Sequence, residues 1–181
     1  VLKREVGDTQ GIADNGLCVG VEVARRAQHK VADEHGDGAS VYSLRPEVEF
    51  DSYGRDELEG KGLQATKDVG ALDTDKVAIG VRGAPPQVRN FIEEHGIEVL
   101  QDTTCPYVKI QEQEAEDVLR DGRHLIFLSD PDHHGMERLR GIAEEEGQRL
   151  YAVQTPEQVA DIDLGKHAPV GVLVQTTFWM K

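Results

Sequence analysis

The fold class is decided by residues 97–120, which read IEVLQDTTCPYVKIQEQEAEDVLR. A short run of β-branched and apolar residues at 97–100 is followed by a turn and then by a helical pattern over 108–120. A strand that passes directly into a helix is the repeating unit of parallel sheets. These residues therefore predict an α/β fold, with Cys105 at a turn between a strand and a helix.

The same alternation extends in both directions along the chain. It predicts strands at 40–44, 77–81, 97–100, 125–128, 150–153 and 170–174, and helices at 21–35, 86–95, 108–120 and 136–146. Because the pattern runs twice, we predict two Rossmann-like units, 1–104 and 105–181, each with a short parallel sheet flanked by helices. No stretch rich in Pro or Ser separates them, which favours two packed domains.

The composition of the chain argues against a nucleic-acid-binding protein and against a membrane-spanning one. The chain has 181 residues, of which 34 are Asp or Glu and 20 are Lys or Arg, for a net charge of −14. Nucleic acid is not an expected partner, because phosphate binding needs a basic surface. No apolar run approaches the roughly 20 residues that span a bilayer, and no apolar signal core begins the sequence. We therefore expect a cytoplasmic protein with no membrane partner.

Two cysteines, Cys18 and Cys105, are the candidates for metal ligands. In a cytoplasmic chain a structural disulfide is not expected, and the absence of a C-x-x-C pair argues against a zinc finger. Backbone amides at a helix start favour a thiolate, and thiolates select iron–sulfur clusters or zinc. Two ligands complete neither site. The alternative is a pair of buried, chemically inert thiols.

Four unusual segments fall where strands pass into the next element, at the edge where open parallel sheets bind ligands. They are Gly-Leu-Cys-Val-Gly at 16–20, Gly-Ala-Pro-Pro at 83–86, Asp-Thr-Thr-Cys-Pro at 102–106 and Gln-Thr-Thr-Phe at 175–178. Together with Val-Tyr-Ser-Leu-Arg-Pro at 41–46, they resemble, in the same order and spacing, the motifs of the LytB/IspH family of 4-hydroxy-3-methylbut-2-enyl diphosphate reductases.

The resemblance implies a fold and a site. The family has three similar α/β domains around a [4Fe–4S] cluster held by three cysteines, and this chain resembles the first two domains. The reaction is the reductive dehydroxylation of an allylic diphosphate in isoprenoid precursor biosynthesis, with ferredoxin or flavodoxin as electron donor. Carried over by motif, the metal ligands are Cys18 and Cys105, the catalytic residues are Thr176 and His133, and the substrate-binding residues are Arg82, Gln175 and Thr177.

The chain also departs from the family pattern. Glu49 stands where the family has a histidine that contacts the diphosphate, and a carboxylate there repels an anionic substrate. Arg82 replaces a second histidine and is expected to bind phosphate in a bidentate manner. In the Gly-His-Pro-Glu segment, which corresponds to 132–135, His133 is kept but Gly135 replaces the glutamate that relays protons. Glu137 substitutes for it only if the alignment shifts by one or two residues.

Three hypotheses follow from these observations. The first is a family reductase that needs a third domain, supplied by a partner chain or by a missing part of the same polypeptide, and whose isolated chain is inactive in the parent reaction. The second is a diverged homodimer in which Cys18 and Cys105 of two copies bridge one cluster for electron transfer or sensing. The third is a non-catalytic binding or scaffold domain. Adjacent histidines such as His133 and His134 are also typical of solvated loops.

Overall fold

The computed structural model describes residues 19–36, 41–44, 55–165 and 167–175, in which helices and strands alternate. In chain order the elements are α1 (Val19–His35), β1 (Val41–Leu44), α2 (Arg55–Gly60), β2 (Leu63–Thr66), β3 (Lys76–Ile79), α3 (Pro86–Glu94), β4 (Glu98–Asp102), α4 (Pro106–Arg120), β5 (His124–Leu128), α5 (Gly135–Glu145), β6 (Leu150–Val153), α6 (Pro156–Ala160) and β7 (Val170–Val174). The chain divides into two compact units, Val1–Ala84 with Phe91–Cys105 and Pro85–Asn90 with Pro106–Lys181.

The first unit contains a four-stranded parallel sheet with the order β2-β1-β3-β4. In the middle of the sheet, Ser43 of β1 pairs with Ala65 on one side and with Ala78 on the other. The buried residues of α1 recur at i, i+4, i+7 and i+8, which is one helical face; they are Ala24, Gln28, Val31 and Ala32. The core cluster of this unit consists of Val31, Ala32, Val41, Leu58, Leu63 and Ala78.

The second unit contains a three-stranded parallel sheet with the order β6-β5-β7. The central strand β5 is a short apolar run whose Leu125 and Phe127 are fully buried. Such a run is typical of a parallel strand that is covered by helices. Its core cluster joins the sheet to α4 and α5 and consists of Ala115, Leu119, Leu125, Phe127, Met136, Leu139, Ile142, Ala143 and Leu173.

The structure confirms the predicted α/β class with parallel sheets flanked by helices. All six predicted strands and all four predicted helices are present, with ends shifted by no more than two residues. The prediction missed α2, β2 and α6, which have 6, 4 and 5 residues. Elements this short do not repeat a hydrophobic period often enough to reveal it. No helix within the described ranges is both long and apolar enough to cross a membrane.

Candidate functional site

In the first unit, hydrogen bonds join the turn after β3 to the turn after β4. The amide of Cys105 donates to the carbonyl of Val81 at 2.9 Å, and the amide of Thr103 donates to the carbonyl of Ile79 at 2.9 Å. The Thr103 hydroxyl donates to the same Ile79 carbonyl at 2.6 Å. Since Arg82 follows Val81 directly, a predicted substrate contact and a predicted metal ligand lie on turns that are bonded to each other.

The turn that carries Arg82 is fixed by its own backbone. The amide of Gly80 donates to the carbonyl of Leu44 at 3.0 Å, and the amide of Gly83 donates to the carbonyl of Gly80 at 3.0 Å. Gly83 has a φ of 73°, a conformation that residues with a side chain rarely adopt. The half-buried Arg82 is therefore held on a short, hydrogen-bonded turn at the carboxyl end of the sheet.

The turn before Cys105 is stabilised by one carboxylate. Asp102 Oδ1 accepts hydrogen bonds from the amide of Thr104 at 2.9 Å and from the Thr104 hydroxyl. Only 5% of the Thr104 surface is exposed. A buried hydroxyl that donates to a carboxylate forms a charge-assisted bond, which is stronger than a neutral one. Asp102 and Thr104 therefore fix the backbone immediately before the thiol.

The Cys105 thiol is reduced and partly buried, and Cys105 directly precedes Pro106, the first residue of the 15-residue helix α4. Within the first unit, the sulfur lies near the first turn of α1. A Cβ atom built on Gly20 would lie 3.5 Å from Cys105 Sγ, so no side chain at position 20 covers the sulfur. A partly exposed thiol near the start of a helix has an environment typical of a reactive or ligating cysteine.

In the second unit, glutamine side chains fix the end of β7. The amide of Gln175 donates to the carbonyl of Leu128 at 2.9 Å, and Gln175 Oε1 accepts from the amide of Asp130 at 3.0 Å. Gln111 Nε2 donates to the carbonyl of Val174 at 2.9 Å. Because Gln111 and Gln175 are only 6% and 8% exposed, these bonds are sheltered from water.

Asp130 connects the strand ends of the second unit. Its side chain accepts a hydrogen bond from Gln154 Nε2 at 3.0 Å, at the end of β6. Its carbonyl accepts from the amide of His133 at 3.0 Å and from the Ser129 hydroxyl at 2.7 Å. Asp130 thus bonds to both His133 and Gln175, which were predicted to belong to the site.

The His133 ring is half-buried and lies against the start of α5. Its Nδ1 accepts a hydrogen bond from the amide of Gly135 at 3.1 Å. Its ring centroid lies 4.0 Å from that of His134 and 6.4 Å from that of Phe127. His133 is therefore both half-buried and hydrogen-bonded through its ring.

A buried ion pair joins α4 to α5. Arg138 Nε lies 2.7 Å from Glu112 Oε1, and the two side chains are 3% and 18% exposed. Replacing one partner of such a pair leaves an uncompensated buried charge, which commonly costs about 3–5 kcal/mol. The pair fixes the face of α5 next to Gly135, where a Cβ atom would lie 3.6 Å from Arg138 Nη2.

The predicted site residues divide into described and undescribed ones. Arg82, Cys105, His133 and Gln175 are described, whereas Cys18, Thr176, Thr177 and Glu49 lie outside the described residues. The sequence analysis missed the supporting residues Asp102, Gln111, Asp130 and Arg138. One of them left a signal: Gln111 lies between Val108 and Ala115 on the buried face of α4, where an apolar residue is expected.

Within the described ranges, no three residues of the types Cys, His, Asp and Glu come together in an arrangement that could hold a metal ion. The candidate metal ligand in these ranges is the Cys105 thiol, which lies on a turn that is hydrogen-bonded to the turn of Arg82.

A sequence model of the family described as "LytB protein" matches residues 11–181. Two curated relatives bear the name 4-hydroxy-3-methylbut-2-enyl diphosphate reductase. The one from Tolumonas auensis is 29% identical over 167 residues, covering 90% of this chain and 51% of the relative. The one from Cutibacterium acnes is 28% identical over 166 residues, covering 91% of this chain and 49% of the relative. The chain thus spans about half the length of the curated relatives it matches.

Two solved structures share the fold. One is described as (E)-4-hydroxy-3-methyl-but-2-enyl diphosphate reductase, the terminal enzyme of the non-mevalonate pathway; its TM-score is 0.72 at 23% identity over 89% of this chain and 55% of that one. The other is the E-1-hydroxy-2-methyl-but-2-enyl-4-diphosphate reductase from Plasmodium falciparum, with a TM-score of 0.72 at 16% identity over 89% of this chain and 49% of that one. At these identities the similarity establishes the fold alone.

Proposed function

Because the chain belongs to the LytB family, we propose that it forms part of an iron–sulfur reductase that removes the hydroxyl group of an allylic diphosphate. The proposal is carried by the Cys105 turn, where a partly exposed thiol lies beside the start of α1 and on a turn bonded to the Arg82 turn. The curated relatives bear the name of such a reductase and are about twice as long. The proposed site is therefore one that further polypeptide completes.

Cys18 and Cys105 are the proposed thiolate ligands of a [4Fe–4S] cluster. In support, the Cys105 sulfur faces Gly20, which follows Cys18 by two residues, so the covalent chain limits the Cα separation of Cys18 and Gly20 to about 7 Å. Thiolates bind iron–sulfur clusters in preference to hard cations such as Mg²⁺. When bound, the cluster would relay two electrons, one at a time, from an external donor, and with two protons these convert the allylic alcohol into an alkene and water.

The remaining predicted residues are assigned to the substrate. Arg82 offers a planar guanidinium that matches two oxygens of a phosphate, and it provides local positive charge in an acidic chain. His133 and Thr176 are proposed to contact the reacting hydroxyl. Gln175 and Thr177 are proposed to shape the same turn, and the bond between Gln175 and Asp130 supports this role for Gln175 by fixing its side chain.

The third cluster ligand is proposed to come from further polypeptide, supplied by a partner chain or a longer form of this one. Ferredoxin or flavodoxin is the proposed electron donor. The presence of two cysteines in each chain also favours a second candidate, in which two copies supply 2 × 2 = 4 thiolates to one bridging cluster. Such a cluster has no open iron and would serve electron transfer or sensing.

The test is anaerobic reconstitution of the 181-residue chain with iron and sulfide, followed by measurement of bound iron, visible absorption and mass in solution. The variants are Cys18→Ser and Cys105→Ser. Tyr107→Phe is the matched control, because Tyr107 is exposed two residues after Cys105 and carries no thiol. Circular dichroism would verify that each variant folds.

A brown species that requires both cysteines and is retained by Tyr107→Phe is the expected result. About four irons per chain would favour the reductase, and about four irons per dimer would favour the bridging cluster. Folded protein that binds no iron, or that binds it equally well in both serine variants, would sink the proposal for this chain.

A further inference from the structure

The main chain around His133 is fixed on both sides. Its amide donates to the carbonyl of Asp130 at 3.0 Å, and its carbonyl accepts from the amide of Met136 at 2.9 Å. The Cα of His133 is therefore held in a closed turn at the start of α5. With the main chain fixed, the side-chain torsions of His133 set the position of its imidazole.

One backbone donor determines which ring nitrogen carries a proton. The amide of Gly135 donates to His133 Nδ1 at 3.1 Å, so Nδ1 must present its lone pair. A neutral imidazole has one N–H, which in this geometry belongs to Nε2. The first amides of a helix have no hydrogen-bond acceptor within the helix. The His133 ring provides an acceptor for one of them, the amide of Gly135, at the start of α5.

The space for the ring exists because residue 135 has no side chain. A Cβ atom built on Gly135 would lie 2.9 Å from His133 Nδ1 and 3.2 Å from Cε1, so the ring would have to move. Backbone conformation does not demand glycine here, because Gly135 is absent from the residues with positive φ, unlike Gly147 at the other end of α5. The contact with the ring is therefore the physical reason for glycine at this position.

We propose that Gly135 is a positioning residue that holds His133 as the Nε2–H tautomer, in which Nε2–H is the hydrogen-bond donor of the ring. The placement of the ring and its tautomer stand on the geometry alone. The assignment of a ligand oxygen, from a hydroxyl or a phosphate, to this donor rests on the proposed function. A side chain at position 135 would displace the ring. The ring would then lose the hydrogen bond from the Gly135 amide, and both neutral tautomers would become accessible.

The test is a long-range ¹H–¹⁵N NMR experiment on the metal-free chain, labelled at histidine nitrogens, at about pH 8, where an ordinary histidine is neutral. In the wild type, His133 is expected to show a fully unprotonated Nδ1 and a protonated Nε2. The exposed His167 serves as an internal reference for a ring in tautomer exchange. In Gly135→Ala, the His133 nitrogen shifts should move towards those of His167.

Two further variants separate positioning from general damage to the fold. Gly165→Ala is the matched control, since Gly165 has no neighbour within 4 Å of the added Cβ and no positive φ; its His133 shifts should equal those of the wild type. His133→Asn retains an oxygen that can accept from the Gly135 amide, so the Gly135 amide signal should stay shifted as in a hydrogen bond. His133→Leu should lose that shift.

A protonated His133 Nδ1 in the wild type would overturn the proposal. Folded Gly135→Ala with unchanged His133 shifts would do so as well. Because the experiment needs no iron, its failure is distinguishable from failure of the reconstitution, and a chain that binds no cluster can still pass this test.

Discussion

At the scale of single residues, two buried glutamines differ in whether their side-chain amides are hydrogen-bonded. Gln28 is fully buried on α1, and among the residues that the structure describes neither of its side-chain polar atoms has a hydrogen-bond partner. Gln111 is 6% exposed on α4, and its Nε2 donates to the carbonyl of Val174. A buried polar group without a partner costs about 1–3 kcal/mol, whereas a satisfied one contributes about 1 kcal/mol.

We expect Gln28→Met to raise the free energy of unfolding by about 1 kcal/mol, because it removes the unpaired amide with little change in shape. Gln111→Met is the matched variant, and it should lower the free energy of unfolding, because it leaves the Val174 carbonyl unpaired. Urea unfolding of the two variants measures the difference. Equal destabilisation by both would contradict the interpretation of Gln28.

A second residue-scale prediction concerns the turn before the thiol. Thr104→Val removes the hydroxyl that donates to Asp102 and keeps the shape of the side chain. Loss of about 1 kcal/mol should let the turn open roughly fivefold more often, so alkylation of Cys105 in a Cys18→Ser background should become faster by that factor. Thr104→Ser keeps the hydroxyl and should react at the original rate. An unchanged rate in Thr104→Val would show that this bond does not hold the turn.

At the scale of elements, β7 packs against α4 through a glycine. A Cβ atom built on Gly171 would lie 2.4 Å from Val118 Cγ1 and 2.6 Å from Val118 Cγ2. Gly171→Ala should therefore destabilise the protein by about 1–3 kcal/mol through overpacking. Adding Val118→Ala removes the two methyl groups and should recover part of the loss, a non-additive result that thermal unfolding can measure. Gly60→Ala, which meets no neighbour within 4 Å in α2, should not destabilise.

The length of an element determines whether it can be predicted from the sequence. The helices α4 and α5 have 15 and 11 residues, enough turns for their buried positions to recur with the helical period. Helix α2 has Leu58 as its one fully buried apolar residue, so its sequence carries no period to detect. It is helical because Leu58 packs in the core cluster of the first unit. This packing is a tertiary contact, and the hydrophobic period of the sequence does not reveal it.

At the scale of the whole molecule, the net charge of −14 opposes compaction. Like charges on a compact chain repel, and salt screens this repulsion as the Debye length falls from about 10 Å at 0.1 M to about 3 Å at 1 M. We expect the midpoint of thermal unfolding to rise between 0.05 and 0.5 M NaCl, about a tenfold range of ionic strength over which the Debye length falls about threefold. The surface ion pairs weakened by the same salt contribute little.

Glu114→Lys, on the exposed side of α4, changes the net charge from −14 to −14 + 2 = −12 and should reduce the salt-dependent rise. A midpoint that falls with salt would mean that attractive ion pairs outweigh the repulsion.

The sequence by itself determined the α/β class, the order of the long elements and the family, because these depend on local period and on motifs that are contiguous in the chain. It also identified Cys105 and His133 as candidates, since each lies in such a motif. The tertiary structure alone decided that Gln175 bonds to Asp130 and that Arg138 is buried as an ion pair. These contacts join residues far apart in sequence, and strand register and helix packing, which no local pattern encodes, bring them together.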